Sequence, residues 1–163
     1  MASPLSIKLI LCDAAVADAS SGKVHMLGAG WSMTGTPTAP QAVAMLLKIP
    51  WDRTNQKITL TLRLLDADGQ PVTMPGPEGD PVRIGQDFEF EVGRPPGVAP
   101  GSMLDAAFAL SVPSMPLQPG RYEWRLDISD QTASESFTVL TRPPGRASGP
   151  PSASGGQGDH LGA

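Results

Sequence analysis

The apolar residues of this chain recur at every second position, and that period dictates the class of fold open to it. Ile58, Leu60, Leu62 and Leu64 alternate with Thr59, Thr61 and Arg63, and Phe88, Phe90 and Val92 with Asp87, Glu89 and Glu91. Tyr122, Trp124, Leu126 and Ile128 alternate with Arg121, Glu123, Arg125 and Asp127 in the same way. Successive side chains of an extended strand point to opposite faces, so each run offers one face to a core and one to water. Ile7, Leu9 and Leu11 predict another such strand. Val43, Met45, Leu47, Ile49 and Trp51 predict one whose second face, through Leu46, is also partly apolar. Phe137 and Val139 close the series.

Two segments need arbitration. Met103 to Val112 (MLDAAFALSV) carries helix-favouring alanines. Yet Ala106, Phe108, Leu110 and Val112 alternate, and Pro100-Gly101 and Pro113 leave room for only a short element, so a strand is expected. In Lys23 to Gly35 (KVHMLGAGWSMTG), Gly28-Ala29-Gly30 opens like a dinucleotide-binding loop. The third glycine of G-x-G-x-x-G falls on Met33, however, and no helix follows to offer its amides to a phosphate. The expected form is a strand with Val24, Met26, Gly28 and Gly30 on one face, the glycines admitting a bulky neighbour or marking a bulge.

Turn chemistry agrees with an all-β chain. Ser20-Ser21-Gly22 and Asp68-Gly69 read as hairpin turns, and Pro119-Gly120 starts a strand. About eight strands with short links predict an antiparallel β-sandwich of two packed sheets. Loops 34–41, 67–81 and 113–120 are expected at one end, and 14–22, 52–56 and 93–102 at the other. The last 22 residues hold six Gly, four Pro and three Ser, with Leu161 the only large apolar side chain, too little to offset the entropy of ordering. The expected organisation is a β-sandwich domain over 1–141 and a flexible Gly/Pro/Ser-rich tail over 142–163.

Charge narrows the partners. Twelve basic and sixteen acidic residues give a net charge of -4, scattered singly. Nucleic-acid binding needs a positive stripe to displace counterions, so no nucleic-acid partner is expected. No segment approaches the ~20 apolar residues of a membrane-spanning helix. The N-terminal LILC stretch resembles a lipoprotein box or a short signal peptide, but Lys8 breaks it, no basic region precedes it and Asp13 ends it. With Cys12 as the one cysteine, no intrachain disulfide can form, and a cytoplasmic location is expected.

Residues able to carry chemistry are few. Asp66-Ala67-Asp68-Gly69 resembles a compressed calcium loop, with Glu78 and Asp80 in the same connection. The EF-hand position for a bidentate Glu holds Pro75, and the flanks read as strands. Asp66 and Asp68 are the metal-ligand candidates, against the plainer reading of an Asp-Gly turn that Asp66 caps. His160 falls in the tail. His25 lies on a strand and pairs conceivably with Cys12, but no third group orients them and Cys12 reads as buried. Paired carboxylates of a glycosidase are set by separation in space, which the sequence leaves open. Trp31, Trp51 and Trp124 each belong to an apolar alternation, favouring core packing over sugar stacking. No catalytic residues and no cofactor are assigned.

The segments ILCDAAVAD, GKVHMLGAGW and LLDADGQPV resemble a family of short, uncharacterised bacterial proteins. In these an N-terminal strand, an acid, a Gly-Lys hairpin and a Gly-x-Gly-Trp strand recur. PGRYEWRLDISD and ESFTVL are similar to the last hairpin of immunoglobulin-like sandwiches. The resemblance spans residues 5–140, implies an immunoglobulin-like β-sandwich and a bacterial origin, and lends no catalytic residue. Ala14-Ala15 departs from it, since aromatic residues often follow the acid there. The expected function is non-catalytic: protein–protein contacts, as a homo-oligomer or part of a larger bacterial assembly, with edge pairing as one mode. The alternative is a carbohydrate- or calcium-binding module at the 67–81 end.

Overall fold

A computed structural model describes residues 3–141. The tail expected over 142–163 and His160 lie outside the described residues. Twelve strands follow one another without an α-helix among the described residues. Eight are the elements the alternation predicts. They are β1 (Ser6–Cys12), β3 (Lys23–Leu27), β5 (Gln41–Pro50), β6 (Lys57–Leu65), β9 (Gly85–Glu91), β10 (Met103–Val112), β11 (Gly120–Ile128) and β12 (Gln131–Leu140). The ambiguous alanine-rich segment is strand β10 over its whole length.

Four short strands correct the count of eight: β2 (Ala14–Asp18), β4 (Met33–Gly35), β7 (Thr73–Pro75) and β8 (Pro81–Arg83). Each spans only three to five residues, too few for a period-two pattern to stand out. The loop expected over 67–81 therefore contains most of a two-stranded ribbon, β7 with β8. Residues 14–22 do not form an end loop either, because β2 pairs with β3 as a hairpin. Trp51 is likewise not a strand residue; it opens a 3₁₀ turn, Trp51–Arg53.

The main strands form two sheets, ordered β1-β5-β10 and β4-β12-β11-β6-β9. Neighbours run antiparallel except β4, which lies parallel to β12. The inward residues Val43, Met45, Leu47 and Ile49 of β5 face Leu60, Leu62 and Leu64 of β6 and Trp124, Leu126 and Ile128 of β11 in one continuous core. Burying these side chains removes about 1.5–3 kcal/mol of unfavourable hydration each. The alternation thus does what it predicts: one face of each sheet makes the core.

Two end-loop pairings expected from strand polarity are also present. The Thr38 amide donates to the Met115 carbonyl at 2.9 Å and the Thr36 hydroxyl to the Leu117 carbonyl at 2.6 Å, tying 34–41 to 113–120. At the other end the Asn55 amide donates to the Val92 carbonyl, and the Arg94 guanidinium lies 3.6 Å above the Trp51 ring. No helix among the described residues is long and apolar enough to cross a membrane.

Candidate functional site

The feature that sets this chain apart from a bare pair of sheets is the β2–β3 hairpin. After β1 the chain reverses at Asp13 and lays β2 back across the outer face of the β1-β5-β10 sheet. That face is built for it. Cys12, Ala15, Ala42 and Ala44 are buried there as a second cluster, with Ile10, Val24, Met26 and Ala109 packed around them. Alanine at 42, 44 and 109 lets the hairpin backbone approach closely, which larger side chains would prevent. This second core explains why both faces of β5 are apolar.

The tip of the hairpin is fixed by Asp18. Its carboxylate accepts hydrogen bonds from the Ser21 hydroxyl at 2.6 Å, the Ser20 hydroxyl at 2.7 Å and the Ser20 amide at 2.9 Å. The Ser21 bond, then the two from Ser20, hold its pKa down at about 2, so it is ionised at neutral pH. The other end is closed at the Gly-Ala-Gly segment. The Asp13 amide donates to the carbonyls of Leu27 at 2.9 Å and Gly28 at 3.3 Å, and the Gly30 amide to Leu11 at 2.9 Å. Strand β3 stops at Leu27, so Gly28 and Gly30 are not strand positions as the alternation predicts. They take φ of 61° and 92° and carry the chain away from the hairpin.

Inside and outside of the hairpin follow from its register. Ala14 pairs with Leu27, Val16 with His25 and Asp18 with Lys23. Ala15, Val24 and Met26 face the second core, while the alternate set faces outward. Val16 is 64% exposed and Leu27 71%, the highest values among the large apolar side chains of the described residues. His25 is exposed beside them, while Cys12 is fully buried with its thiol pKa raised chiefly by desolvation. The fold thus separates Cys12 from His25: one thiol faces inward, one imidazole outward.

At the 67–81 end, Asp66 caps its own turn. One carboxylate oxygen, Oδ1, accepts the amides of Asp68 and Gln70, both at 2.9 Å, and Gly69 takes φ of 75°. Glu78 and Asp80 belong to the β7–β8 turn, where the Gly76 amide donates to the Asp80 carbonyl at 2.8 Å. Among the described residues no three His, Cys, Asp or Glu side chains converge to hold a metal. Asp66→Ala is expected to cost about 1–2 kcal/mol, since two amides lose their acceptor, and Asp66→Asn less, because it keeps one. Thermal unfolding checks this; a cost no larger than that of Asp68→Ala would show that the turn does not depend on the carboxylate.

The tryptophans divide. Trp124 is fully buried, and half-buried Trp31 meets Phe137 edge-on at 5.7 Å. Trp51 is capped by Arg94. All three rings are therefore in use within the fold. The sequence reading missed the exposure of Val16 and Leu27, because a five-residue strand hides its facing. The alanines at 42, 44, 107 and 109, alternating on β5 and β10, were the available signal that something covers that face.

No curated protein matches the chain. A family model described as a family of unknown function, DUF6941, matches residues 8–139, a span that holds the two sheets and the hairpin. Because that match takes in most of the 163 residues, the chain belongs to this family.

Proposed function

We propose that this chain is a non-catalytic, immunoglobulin-like β-sandwich that works through protein–protein contacts made by the outer face of its β2–β3 hairpin. The carrying observation is the exposure of Val16 and Leu27 on one outward face with Ala14. Apolar side chains held out on a short, stapled element gain nothing from water, and grouped exposure of this kind marks contact surfaces. The strand order supports the immunoglobulin-like reading. β1-β5-β10 corresponds to the A-B-E strands of that fold, and β12-β11-β6-β9 to G-F-C-C′. The hairpin is then an insertion after the first strand, on a framework whose core does not require it.

A second copy of the chain is the proposed partner, since an apolar hairpin face is self-complementary about a two-fold axis. Sedimentation across a concentration series is the test. The native chain is expected to associate, and Val16→Lys/Leu27→Lys to remain monomeric and to match the thermal stability of the native chain at concentrations where that is also monomeric, since both side chains face water in the single chain. A native chain that is monomeric at every concentration overturns the homo-oligomer.

A further inference from the structure

Four rows of residues cross the outer face of the β1-β5-β10 sheet, and the hairpin covers only two of them. The register gives the rows Cys12–Ala42–Ser111 and Ile10–Ala44–Ala109, and the hairpin covers them except at exposed Ser111. Lys8–Leu46–Ala107 and Ser6–Lys48–Asp105 lie beyond the hairpin. Burial along β5 falls in step, from buried Ala42 and Ala44 through half-buried Leu46 to exposed Lys48. Where the hairpin ends, its Gly22-Lys23-Val24 edge overhangs the uncovered rows and closes a groove of about 430 Å³. That lies within the range of roughly 300–1,000 Å³ typical of small-molecule sites.

The composition of this groove is not that of the rest of the surface. The chain has four lysines, and Lys8, Lys23 and Lys48 line this one groove, in a protein of net charge -4. Lys48 is paired with Asp105 at 2.7 Å. Lys8 and Lys23 have no ion-pair partner among the described residues. Asp18 stands opposite Lys23 in the hairpin register, but the serine hydroxyls of its own turn engage its carboxylate. Two lysines without an ion pair among the described residues, Lys23 having the ionised Asp18 as its cross-strand neighbour, therefore line a groove with Leu46 and Ala107 on its floor and Val24 at its side. Flexible lysine stems lie along apolar surface and deliver a point charge, which attracts a small anionic head without requiring a bidentate geometry.

We propose that the groove binds a small amphipathic carboxylate, with its head between Lys8 and Lys23 and its apolar body on Leu46, Ala107 and Val24. Charge complementarity selects the head, and the apolar floor selects the body. A nucleic acid needs a longer basic track than two free lysines provide. The proposal does not rest on the contact reading above, because neither Val16 nor Leu27 lines the groove.

Decanoate is a suitable probe, used with the full chain and read by calorimetry and by displacement of a fluorescent anilinonaphthalene sulfonate. Decanoate is expected to bind and to displace the dye, and decanol and a decyl ammonium salt to do so at least about tenfold more weakly. Lys8→Gln/Lys23→Gln is expected to weaken decanoate binding by about tenfold and leave thermal unfolding unchanged, whereas Lys57→Gln, outside the groove, has no effect. Equal binding of decanol and decanoate, or an unaffected double variant, overturns the proposal. Displacement of the dye by an oligo-glutamate peptide but not by decanoate also overturns it, in favour of an acidic protein segment.

Discussion

Trp124→Ala is expected to lower the free energy of unfolding by about 3–5 kcal/mol. The ring is fully buried in the middle of the five-stranded sheet, between Leu64 of β6 and Glu135 of β12 in the strand register. It shares the inward face of β11 with Leu126 and Ile128, so the cavity left by its removal is walled by sheet backbone on one side and cannot collapse freely. Its indole Nε1 is buried without a hydrogen-bond partner, so the ring contributes through its volume and not through a polar contact. Trp124→Phe, which keeps most of the apolar ring and removes the unpaired donor, should therefore cost less than about 1.5 kcal/mol. Urea unfolding with an unchanged slope separates the two. An alanine variant within about 1 kcal/mol of the native chain would place the core elsewhere than on this face.

That prediction is readable from the sequence because long strands with one wet face write their burial into a period of two. Tyr122 to Ile128, Ile58 to Leu64 and Val43 to Ile49 face as the alternation says. Met103–Val112 did so despite its alanines, since a half-buried position opposite a close neighbour favours small residues over strong strand formers. What the alternation could not show was anything whose partner is short or distant in the chain. Strand β4 is defined only by three residues lying parallel to the end of β12, more than a hundred residues away. The hairpin position was hidden because Gly28-Ala29-Gly30 extends the apparent alternation of β3 past its true end at Leu27.

The two surfaces proposed to carry function were illegible for the same reason. Lys8, Lys23 and Lys48 look solitary along the chain, and only the antiparallel register and the fold-back at Asp13 bring them to one groove. Val16 and Leu27 look like ordinary strand interior until their five-residue strands are known to lie on the outside of the molecule. Both surfaces depend on how firmly the hairpin is held, and that converges on one glycine.

Gly28→Ala is expected to cost about 2–4 kcal/mol, from two separable causes. The first is conformational: φ of 61° is left-handed, and a side chain there costs about 1–2 kcal/mol. The second is steric, because a β-carbon at Gly28 would overlap the carboxylate of Asp13 and come within 3.0 Å of the Asp13 β-carbon. A different Asp13 rotamer relieves the first overlap but not the second, and the Asp13 backbone is itself held by its bonds to Leu27 and Gly28. Gly30→Ala isolates the conformational cause, since φ is 92° there and nothing lies within 4 Å of the added carbon. It should cost only the left-handed strain of about 1–2 kcal/mol. In an Asp13→Ala background, which removes the carboxylate but keeps the β-carbon, the cost of Gly28→Ala should fall but stay above that of Gly30→Ala, and in an Asp13→Gly background it should reach it, a coupling readable as a double-mutant cycle in urea unfolding. Equal costs for the two glycines in the native background would mean that the close approach of Asp13 does not select glycine at position 28. If the costs differ as expected, hairpin placement is set by the fit of Asp13 against bare backbone. Gly28→Ala should then also weaken decanoate binding, because the overhanging Lys23 is positioned through the same junction.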